Sequence, residues 1–393
     1  MSEWKEYKLG ELVEISTGYA FKGDKYDFKG ELRVVRGENV TIGKLRWDSE
    51  KYWNRSIIGL EQYYLRENDI VIGMDGSRVG HNRAKIKLNE LPLILAQRVA
   101  RLRAKENSNQ EFIWYNIFSS IFKDYVEAIH TGTSIPHISQ NQISNFDILL
   151  PPLPEQTAIA SILSSLDDKI DLLHRQNATL EKMAETLFRQ WFVEEAKEEW
   201  EEKSLYECIE LIGGGTPKTT VEEYWNGNVK WLSGGDISNN HKNFVIKTEK
   251  TITENGLKNS SAKLAPKFST IISARGTVGK YCILSEPMTF SQSNYGVLPK
   301  YQGCFFFTYL LVAHSVDELL SAAYGSVFDT ITTNTFKGLN ITLPKENQIL
   351  LFEESVKFYF QKILSNQTQI QTLTSLRDNL LPKLMSGEVR VKI

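Results

Sequence analysis

An internal repeat runs through nearly all of the chain's 393 residues and constrains its fold more than any other feature. The segment KLGELVEISTG at 8–18 resembles SLYECIELIGG at 204–214, which gives an offset of 196. The segment HISQNQISNFDILLP at 137–151 matches TITTNTFKGLNITLP at 330–344, which gives an offset of 193. Matches that recur in the same order at nearly one spacing indicate two copies of one structural unit.

Each copy is expected to end in a long helix that belongs to a coiled coil. From 159 to 191 the seam positions recur at alternating intervals of four and three residues, and adding 193 gives the same spacing over 352–384. Asn177 and Asn366 each interrupt one apolar stripe. Because an unpaired buried amide costs about 1–3 kcal/mol, these two amides should pair. That pairing predicts an antiparallel coiled coil in which the numbers of facing residues sum to 543.

The same register makes three further predictions. Arg377 faces Leu166, so its stem should pack in the seam while its guanidinium reaches water. Pro382 is expected to kink or end the second helix. About 33 residues of seam at roughly 1.5 Å each give a rod of about 50 Å, and antiparallel pairing would place the two globular parts at its opposite ends.

Outside these helices, the two globular parts have the patterns of mixed α/β domains. Apolar or alternating runs at 69–73, 98–104 and 269–274 predict strands, and the dense apolar stretches at 111–129 and 304–323 predict helices. The predicted fold class is α+β: two similar mixed α/β globules joined by two long helices in an antiparallel coiled coil, with an internal pseudo-two-fold repeat. We expect the first globule to span 1–152 and the first long helix 153–202. The second globule should span 203–344, and the second long helix with its tail 345–393.

Composition and motifs exclude several classes of protein. With 46 basic and 48 acidic residues the net charge is −2, so the chain as a whole cannot act as a polycation. Gly279-Lys280 lacks the first glycine and the hydroxyl of a phosphate-binding loop, and Pro151-Pro152 lacks the Asn or Asp of a methyltransferase motif. The six histidines show no metal-ligand spacing. We therefore expect no catalytic site, metal or cofactor on this chain, and the isolated cysteines and charged N-terminus favour a cytoplasmic protein.

Two short basic segments could contact DNA phosphates. Residues 78–105 hold eight basic residues and one acidic residue, and 240–280 hold eight and two. Strand alternation in the first segment would place its cations on one face and apolar residues on the other. If the two strands are neighbours, six cations line one sheet surface: Arg83, Lys85, Lys87, Arg101, Arg103 and Lys105. Such a surface suits a phosphate-facing wall, and a plain solvent-facing sheet edge is the open alternative.

Polar residues of the glycine-rich loops are the candidates for reading bases, because loops can enter a groove and an arginine can hold guanine through two hydrogen bonds. For the six loop candidates ordinary turn chemistry is the alternative role, and for the two glutamines it is the capping of backbone groups inside each domain. The loop candidates are Asn39, Ser77, Arg78, Asp236, Arg275 and Thr277, with Lys242 and Lys280 from the second basic segment and the aligned pair Gln97 and Gln292.

The boundary between globule and long helix carries a family resemblance. The segment ISQNQISNFDILLPPLPEQTAIASILSSLDDKI at 138–170 resembles a conserved region of type I restriction–modification specificity subunits. ITTNTFKGLNITLPKENQ at 331–348 and LRDNLLPKLMSGEV at 376–389 resemble the second conserved region and the tail of that family. GGGTPK at 213–218 and ARGTVG at 274–279 resemble segments common in its recognition domains. The resemblance covers the full chain, although the second boundary has LPKENQ where the first has LPPLPEQ.

The resemblance implies a non-catalytic subunit that binds double-stranded DNA, each globule reading one part of a two-part asymmetric sequence. It also implies two modification (methyltransferase) subunits and translocating restriction subunits as partners, with S-adenosylmethionine, ATP and magnesium bound by those partners. The alternative is a coiled-coil adaptor that joins two protein-binding domains and has no DNA specificity. An adaptor would show no steep loss of duplex affinity with added salt.

Overall fold

The computed structural model divides the chain into two compact units. Unit 1 comprises Met1–Ile170 and Leu373–Ile393, and unit 2 comprises Asp171–Thr372. Each unit therefore holds one globular domain together with parts of both long helices. The residues that the structure describes are 4–76, 78–129, 136–324 and 330–392.

Unit 1 is built on a four-stranded antiparallel sheet of order β2-β7-β4-β5, with a parallel pair β3-β6 and an antiparallel pair β1-β8. Its strands are β1 (Lys5–Lys8), β2 (Val13–Thr17), β3 (Arg33–Val35), β4 (Ile70–Gly73), β5 (Arg83–Lys85), β6 (Leu93–Leu95), β7 (Val99–Ala104) and β8 (Asp147–Leu150). Its helices are α1 (Leu9–Leu12), α2 (Gln110–Phe118), α3 (Ser120–Ala128), α4 (Gln140–Ser144) and the start of α5 (Leu153–Arg189).

The apolar stretch predicted as one helix over 111–129 forms two helices. Ser119 has an extended backbone, with ψ 161°, and its hydroxyl accepts a hydrogen bond from the backbone N–H of Phe122, which caps α3. Apolar periodicity alone could not show this break, because the side chains on both sides of it face the same core.

Unit 2 has a five-stranded sheet of order β10-β17-β14-β15-β12, a three-stranded sheet β13-β11-β16 and an antiparallel pair β18-β9. Its strands are β9 (Glu201–Ser204), β10 (Ile209–Gly213), β11 (Trp225–Leu232), β12 (Phe244–Val245), β13 (Lys250–Ile252), β14 (Thr270–Ser273), β15 (Tyr281–Leu284), β16 (Thr289–Phe290), β17 (Asn294–Pro299) and β18 (Asn340–Leu343). Its helices are α6 (Leu205–Cys208), α7 (Gly234–Asn239), α8 (Glu254–Lys258), α9 (Phe305–Tyr324), α10 (Thr333–Lys337) and most of α11 (Glu346–Met385).

Helix α9 is the central helix of unit 2. Among the described residues it is the one helix long and apolar enough, by length and composition, to span a membrane. Half of an apolar 18-residue stretch of this helix is buried inside the protein, as expected for a core helix that is apolar on most of its faces. Its N-terminus is closed by α11, where the buried Glu353 carboxylate accepts hydrogen bonds from the backbone N–H groups of Phe306 (3.2 Å) and Phe307 (2.8 Å).

In unit 2, α5 and α11 pair in the register that the two asparagines predict. Nδ2 of Asn366 donates to Oδ1 of Asn177 at 2.9 Å, and both side chains are buried. The ring centroids of Trp191 and Phe352 lie 5.6 Å apart, as the same register requires. From the first contact to the second, the residue number rises in α5 and falls in α11, so the paired segments run antiparallel.

Arg377 has charged partners that the register did not predict. Its side chain is 17% exposed, and its guanidinium is held by two carboxylates. It donates to Oδ1 of Asp167 at 2.7 Å and also pairs with Asp378. Its side chain lies over the ring of Phe118, 5.6 Å from the centroid. Helix α11 runs through Pro382 and ends at Met385, three residues beyond the proline.

The tail after α11 is held within unit 1 by a buried carboxylate. Glu155, 3% exposed at the start of α5, accepts hydrogen bonds from Nε (2.5 Å) and Nη2 (2.7 Å) of Arg390. The indole of Trp4 donates to the same carboxylate at 3.2 Å. The hydrogen bonds from Arg390 lower the pKa of Glu155 below its usual range.

Candidate nucleic-acid interface

Four loops of unit 1 come together beside the ends of β4 and β7. The backbone N–H of Met74 donates to the carbonyl of Arg98 at 2.9 Å, and the N–H of Ile138 donates to the carbonyl of Met74 at 2.8 Å. A Cβ placed on Gly37 would lie 3.8 Å from the Arg98 carbonyl oxygen. We call this group of loops the unit 1 loop edge. It is formed by residues 36–39, by 74–76 and 78–80 of one loop, by 96–98 and by 136–138.

Unit 2 has the same two backbone hydrogen bonds between its loops, made by other residues, and we call this shared arrangement the loop frame. The backbone N–H of Ala274 donates to the carbonyl of Ser293 at 3.0 Å, and the N–H of Ile331 donates to the carbonyl of Ala274 at 3.2 Å. A Cβ on Gly234 would lie 3.8 Å from the hydroxyl of Thr277. The unit 2 loop edge is formed by residues 233–236, 274–280, 291–293 and 330–331.

A glycine fixes the end of one loop against a helix in both units, and we call this loop, which follows β4 in unit 1 and β14 in unit 2, the central loop. Gly80 and Gly279 have positive φ angles of 83° and 79°. A Cβ at Gly80 would lie 2.8 Å from Val126, and one at Gly279 would lie 2.8 Å from Leu320. Any larger residue would need a strained backbone and would have to displace the side chain of Val126 or Leu320, so these two positions favour glycine.

The predicted six-cation wall is wrong, because the sheet register separates its members. β5 and β7 are not neighbours, since both pair with β4. Ile72 of β4 faces Arg83, whereas Val71 faces Arg101. Successive residues of β4 point to opposite faces of the sheet. Arg83 and Arg101 therefore lie on opposite faces.

Arg83 is a buried structural residue, 5% exposed. Its Nη1 donates to the carbonyl of Gly80, and its Nη2 donates to the carbonyls of Phe118 (2.7 Å) and Ser119 (3.2 Å). Burial lowers its pKa to about 10. It joins the central loop to the break between α2 and α3, and it cannot also contact a phosphate.

The other strand cations are engaged within unit 1. Arg101 is buried, and burial lowers its pKa, with the neighbouring Arg103 adding to the effect. Lys105 donates to the Gly10 carbonyl at 2.8 Å, and Lys87 is exposed beyond the end of β5. Three of these cations pair with a carboxylate at 2.6 Å, Arg101 with Glu14, Arg103 with Asp69 and Lys85 with Glu111.

Two of the predicted base-reading residues shape the loops instead. Asn39 is buried, and its side chain accepts from the N–H of Arg36 and donates to the carbonyl of Arg46, both at 3.0 Å. Asp236 is also buried and accepts from the N–H of Ser233 at 2.9 Å. They occupy matching positions in the two copies and close a short helical turn in each. The alternative role of ordinary turn chemistry is therefore the observed one at these two positions.

The remaining candidates that the structure describes are exposed, and their contact with DNA stays a prediction. The side chain of Gln292 accepts a hydrogen bond from the hydroxyl of Thr216, which ties the GGGTP segment to the unit 2 loop edge. Ser77 lies outside the described residues. The exposed candidates are Arg78, Gln97, Lys242, Arg275, Thr277, Lys280 and Gln292.

Sequence reasoning missed three residues of the unit 1 loop edge. Asp75 accepts from Nδ1 of His137 and pairs with Nη1 of Arg98 at 3.3 Å. Arg98 has a positive φ of 70°, a conformation that costs a residue other than glycine roughly 1–3 kcal/mol, and its side chain is 62% exposed. A signal was present in the repeat, because Asp75 aligns with Arg275 and so marks a reversal of charge.

Comparison with known proteins assigns the family. The sequence matches the type I restriction modification DNA specificity domain over residues 1–182 and 197–375. The chain belongs to this family. It is 24% identical to the type I restriction enzyme HindI specificity subunit of Haemophilus influenzae, over 99% of this chain and 100% of the relative. It is 25% identical to the MjaIX specificity subunit of Methanocaldococcus jannaschii, over 100% and 97%.

A solved structure has the same fold. The crystal structure of the type I restriction–modification S subunit from M. genitalium superposes with a TM-score of 0.69, covering 97% of this chain and 96% of that one, at 16% identity. The α+β fold with two repeated domains and two long helices, predicted from the sequence, is thereby confirmed. As a family member the chain is a DNA specificity subunit, so the adaptor alternative is not favoured.

Proposed function

We propose that each loop edge reads one half of a two-part asymmetric DNA sequence. The observation that carries this proposal is that the same backbone hydrogen bonds, Met74 to Arg98 and Ala274 to Ser293, build both edges, whereas the exposed side chains differ. A shared frame with different side chains suits two readers of different sequences. Phosphate contacts would position each domain, and base contacts would specify the sequence.

We also propose that this chain supplies recognition and that partner subunits supply the chemistry. The relatives are named as specificity subunits of type I restriction enzymes. Two modification subunits would bring S-adenosylmethionine, and restriction subunits would bring ATP and magnesium, in the cytoplasm. Purified alone, the chain should transfer no methyl group and cleave no DNA, and activity of the isolated chain would contradict this proposal.

Duplex binding as a function of salt tests the DNA-binding proposal directly. A protein that neutralises several phosphates loses affinity steeply with salt, with a logarithmic slope of about −0.9 per phosphate contact. We expect a steep slope for the full chain and a preferred two-part sequence after selection from random duplexes. A shallow slope together with no preferred sequence would support the adaptor instead.

Sequencing of methylated sites tests the assembled complex. DNA exposed to this chain with its modification subunits should be methylated at one two-part sequence with an unread spacer. Exchanging residues 1–152 for those of a relative should change one half of that sequence and leave the other half unchanged. A change in both halves would show that the two domains do not read independently.

A further inference from the structure

We infer that each domain recognises a guanine through one arginine, and that the two arginines stand at different positions of the same loop frame. The arginines are Arg98 in unit 1 and Arg275 in unit 2. This inference rests on the proposed function, because it assumes that the loop edges face DNA. It names the residues at which the two readers differ.

The frame defines three equivalent positions in each unit. The first follows Met74 or Ala274 and precedes a glycine of positive φ, Gly76 at 100° or Gly276 at 80°. The second supplies the carbonyl that accepts from the backbone N–H of Met74 or Ala274. The third precedes the isoleucine whose N–H donates back to the carbonyl of Met74 or Ala274. These positions hold Asp75, Arg98 and His137 in unit 1, and Arg275, Ser293 and Thr330 in unit 2.

In unit 1 the arginine stands at the second position and is held by its neighbours. The Asp75 carboxylate pairs with Nη1 of Arg98 at 3.3 Å and also accepts from His137. A guanidinium carries five N–H donors, so one contact through Nη1 leaves donors for another partner. Asp75 is therefore a positioning residue, which restricts an otherwise exposed side chain.

In unit 2 the arginine stands at the first position, where unit 1 has its aspartate. The side chain of Arg275 is exposed, and the described residues give it neither a hydrogen bond nor an ion pair. Small hydroxyl residues replace the arginine and the histidine at the other two positions. The guanidinium of unit 2 thus starts from a different loop than that of unit 1.

Guanine is the base that this chemistry favours. Its major-groove edge offers two acceptors, N7 and O6, which match the fork of an arginine. A carboxylate would instead accept from the cytosine amino group, but the carboxylate of Asp75 already accepts from Arg98 and His137. Since the two arginines leave the frame from different loops, the guanine should occupy different places in the two half-sequences.

The test uses the full chain and a library of random duplexes, with base preference and salt slope measured separately. Arg98→Lys keeps the charge but loses the fork, so it should reduce the preference for one guanine at least about fivefold with an unchanged salt slope. Arg98→Asn, which tolerates positive φ, should lose the same preference and also reduce the slope. Arg275→Lys should act only on the other half-sequence. Arg175→Lys, an exposed arginine of α5 paired with Asp171, is the matched control.

The positioning role of Asp75 has its own readout. Asp75→Ala should weaken the preference for the same guanine that Arg98 reads, and Asp75→Glu should restore part of it, while the unfolding midpoint stays unchanged. If wild-type protein selects a two-part sequence but Arg98→Lys leaves every guanine preference intact, or the first half contains no guanine, the inference is wrong and the proposed function stands. Wild-type protein that selects no sequence at all would overturn both.

Discussion

Arg83 and Arg98 are fifteen positions apart in unit 1 and have opposite environments. Arg83 is 5% exposed and donates only to backbone carbonyls, whereas Arg98 is held by a carboxylate at an exposed edge. Arg83 stabilises the loop after β4, and the same loop carries Asp75, which holds Arg98 on a neighbouring loop. Substitutions at the two positions should therefore separate stability from specificity.

We expect Arg83→Leu to lower the free energy of unfolding by about 3 kcal/mol, because several buried carbonyls lose a charged donor. Urea unfolding followed by tryptophan fluorescence measures this. Arg78→Leu, on the exposed part of the same loop, should change stability by less than about 0.5 kcal/mol. Equal effects at the two positions would contradict the assigned role of Arg83.

Glu353 should make the stability of unit 2 depend on pH. Burial raises the pKa of this carboxyl to about 7 in the folded protein, against the opposing hydrogen bonds from Phe307 and Phe306. A folded-state pKa above the unfolded value means that the folded state binds the proton more tightly, so stability falls as pH rises from about 4.5 to about 7. The free energy of unfolding of wild type, relative to that of Glu353→Gln, should therefore fall by up to about 3 kcal/mol over this pH range.

That difference isolates Glu353 from the half-buried Glu181, whose pKa burial and Glu185 also raise to about 7. Denaturation at several pH values gives the comparison, with Glu354→Gln on the exposed face of α11 as the control. A wild-type minus variant difference that stays constant with pH would show that Glu353 does not titrate in this range.

The sequence identified the right kind of residue at the loop edges more often than the right residue. Exposed loop positions such as Arg275 followed from the glycine pattern, which is local. The burial of Arg83 and Arg101 depends on what covers each face of the sheet, and strand alternation carries no information about that. Asn39 shows the same limit, because its partners Arg36 and Arg46 meet only in the folded loop.

At the scale of the helices, the asparagine pair is a polar layer in a seam whose other polar member is Arg377. Nδ2 of Asn366 donates to Asn177, but its Oδ1 has no hydrogen-bond partner among the described residues. A partly satisfied polar layer lowers stability and fixes register, since any other alignment places an amide against an apolar residue.

Replacing one asparagine should therefore cost more than replacing both. Asn177→Leu removes the closer acceptor of the buried Asn366 amide, which then has only Oε1 of Gln176 at 3.4 Å, and it should lower the free energy of unfolding by about 1–3 kcal/mol. The double variant Asn177→Leu, Asn366→Leu should recover this loss, giving a large coupling energy in a double-mutant cycle. Additive effects in urea unfolding would mean that the two side chains do not interact in solution.

The seam could be predicted because its periodicity is contained in the sequence of each helix. The partner of Arg377 could not be predicted in this way. Heptad spacing places Leu166 opposite Arg377, yet the guanidinium turns to Asp167, which lies one residue off the stripe. Counting along a stripe gives the layer of a residue. The stripe does not show which charged side chain near the seam can reach Arg377.

At the scale of the whole molecule, the tail of the chain completes unit 1. Arg390 is the cation that faces the buried carboxylate of Glu155, and losing one partner of a buried pair leaves a charge without compensation. We expect Arg390→Gln to lower the free energy of unfolding, because it leaves the buried Glu155 carboxylate without its cation. The double variant Arg390→Gln, Glu155→Gln should recover part of this loss.

Urea unfolding at neutral pH distinguishes these variants, with the exposed Arg46→Gln as a control. The lowered pKa of Glu155 means that the pair stabilises the protein above the pKa of an unfolded glutamate and that this contribution is lost as the solution is acidified. The difference between wild type and Arg390→Gln should therefore shrink towards low pH. A difference that grows on acidification would contradict the assigned pairing.

The division of the chain also sets an order of completion on the ribosome. Domains generally fold from the N-terminus during synthesis, but unit 1 takes Leu381, Leu384 and Met385 into its core. Unit 2 is one continuous segment that ends at Thr372, so it has been translated in full before those residues are made. The nascent first domain must therefore wait with part of its apolar core uncovered while the second is synthesised. The part of the chain that is made first is the last to be finished.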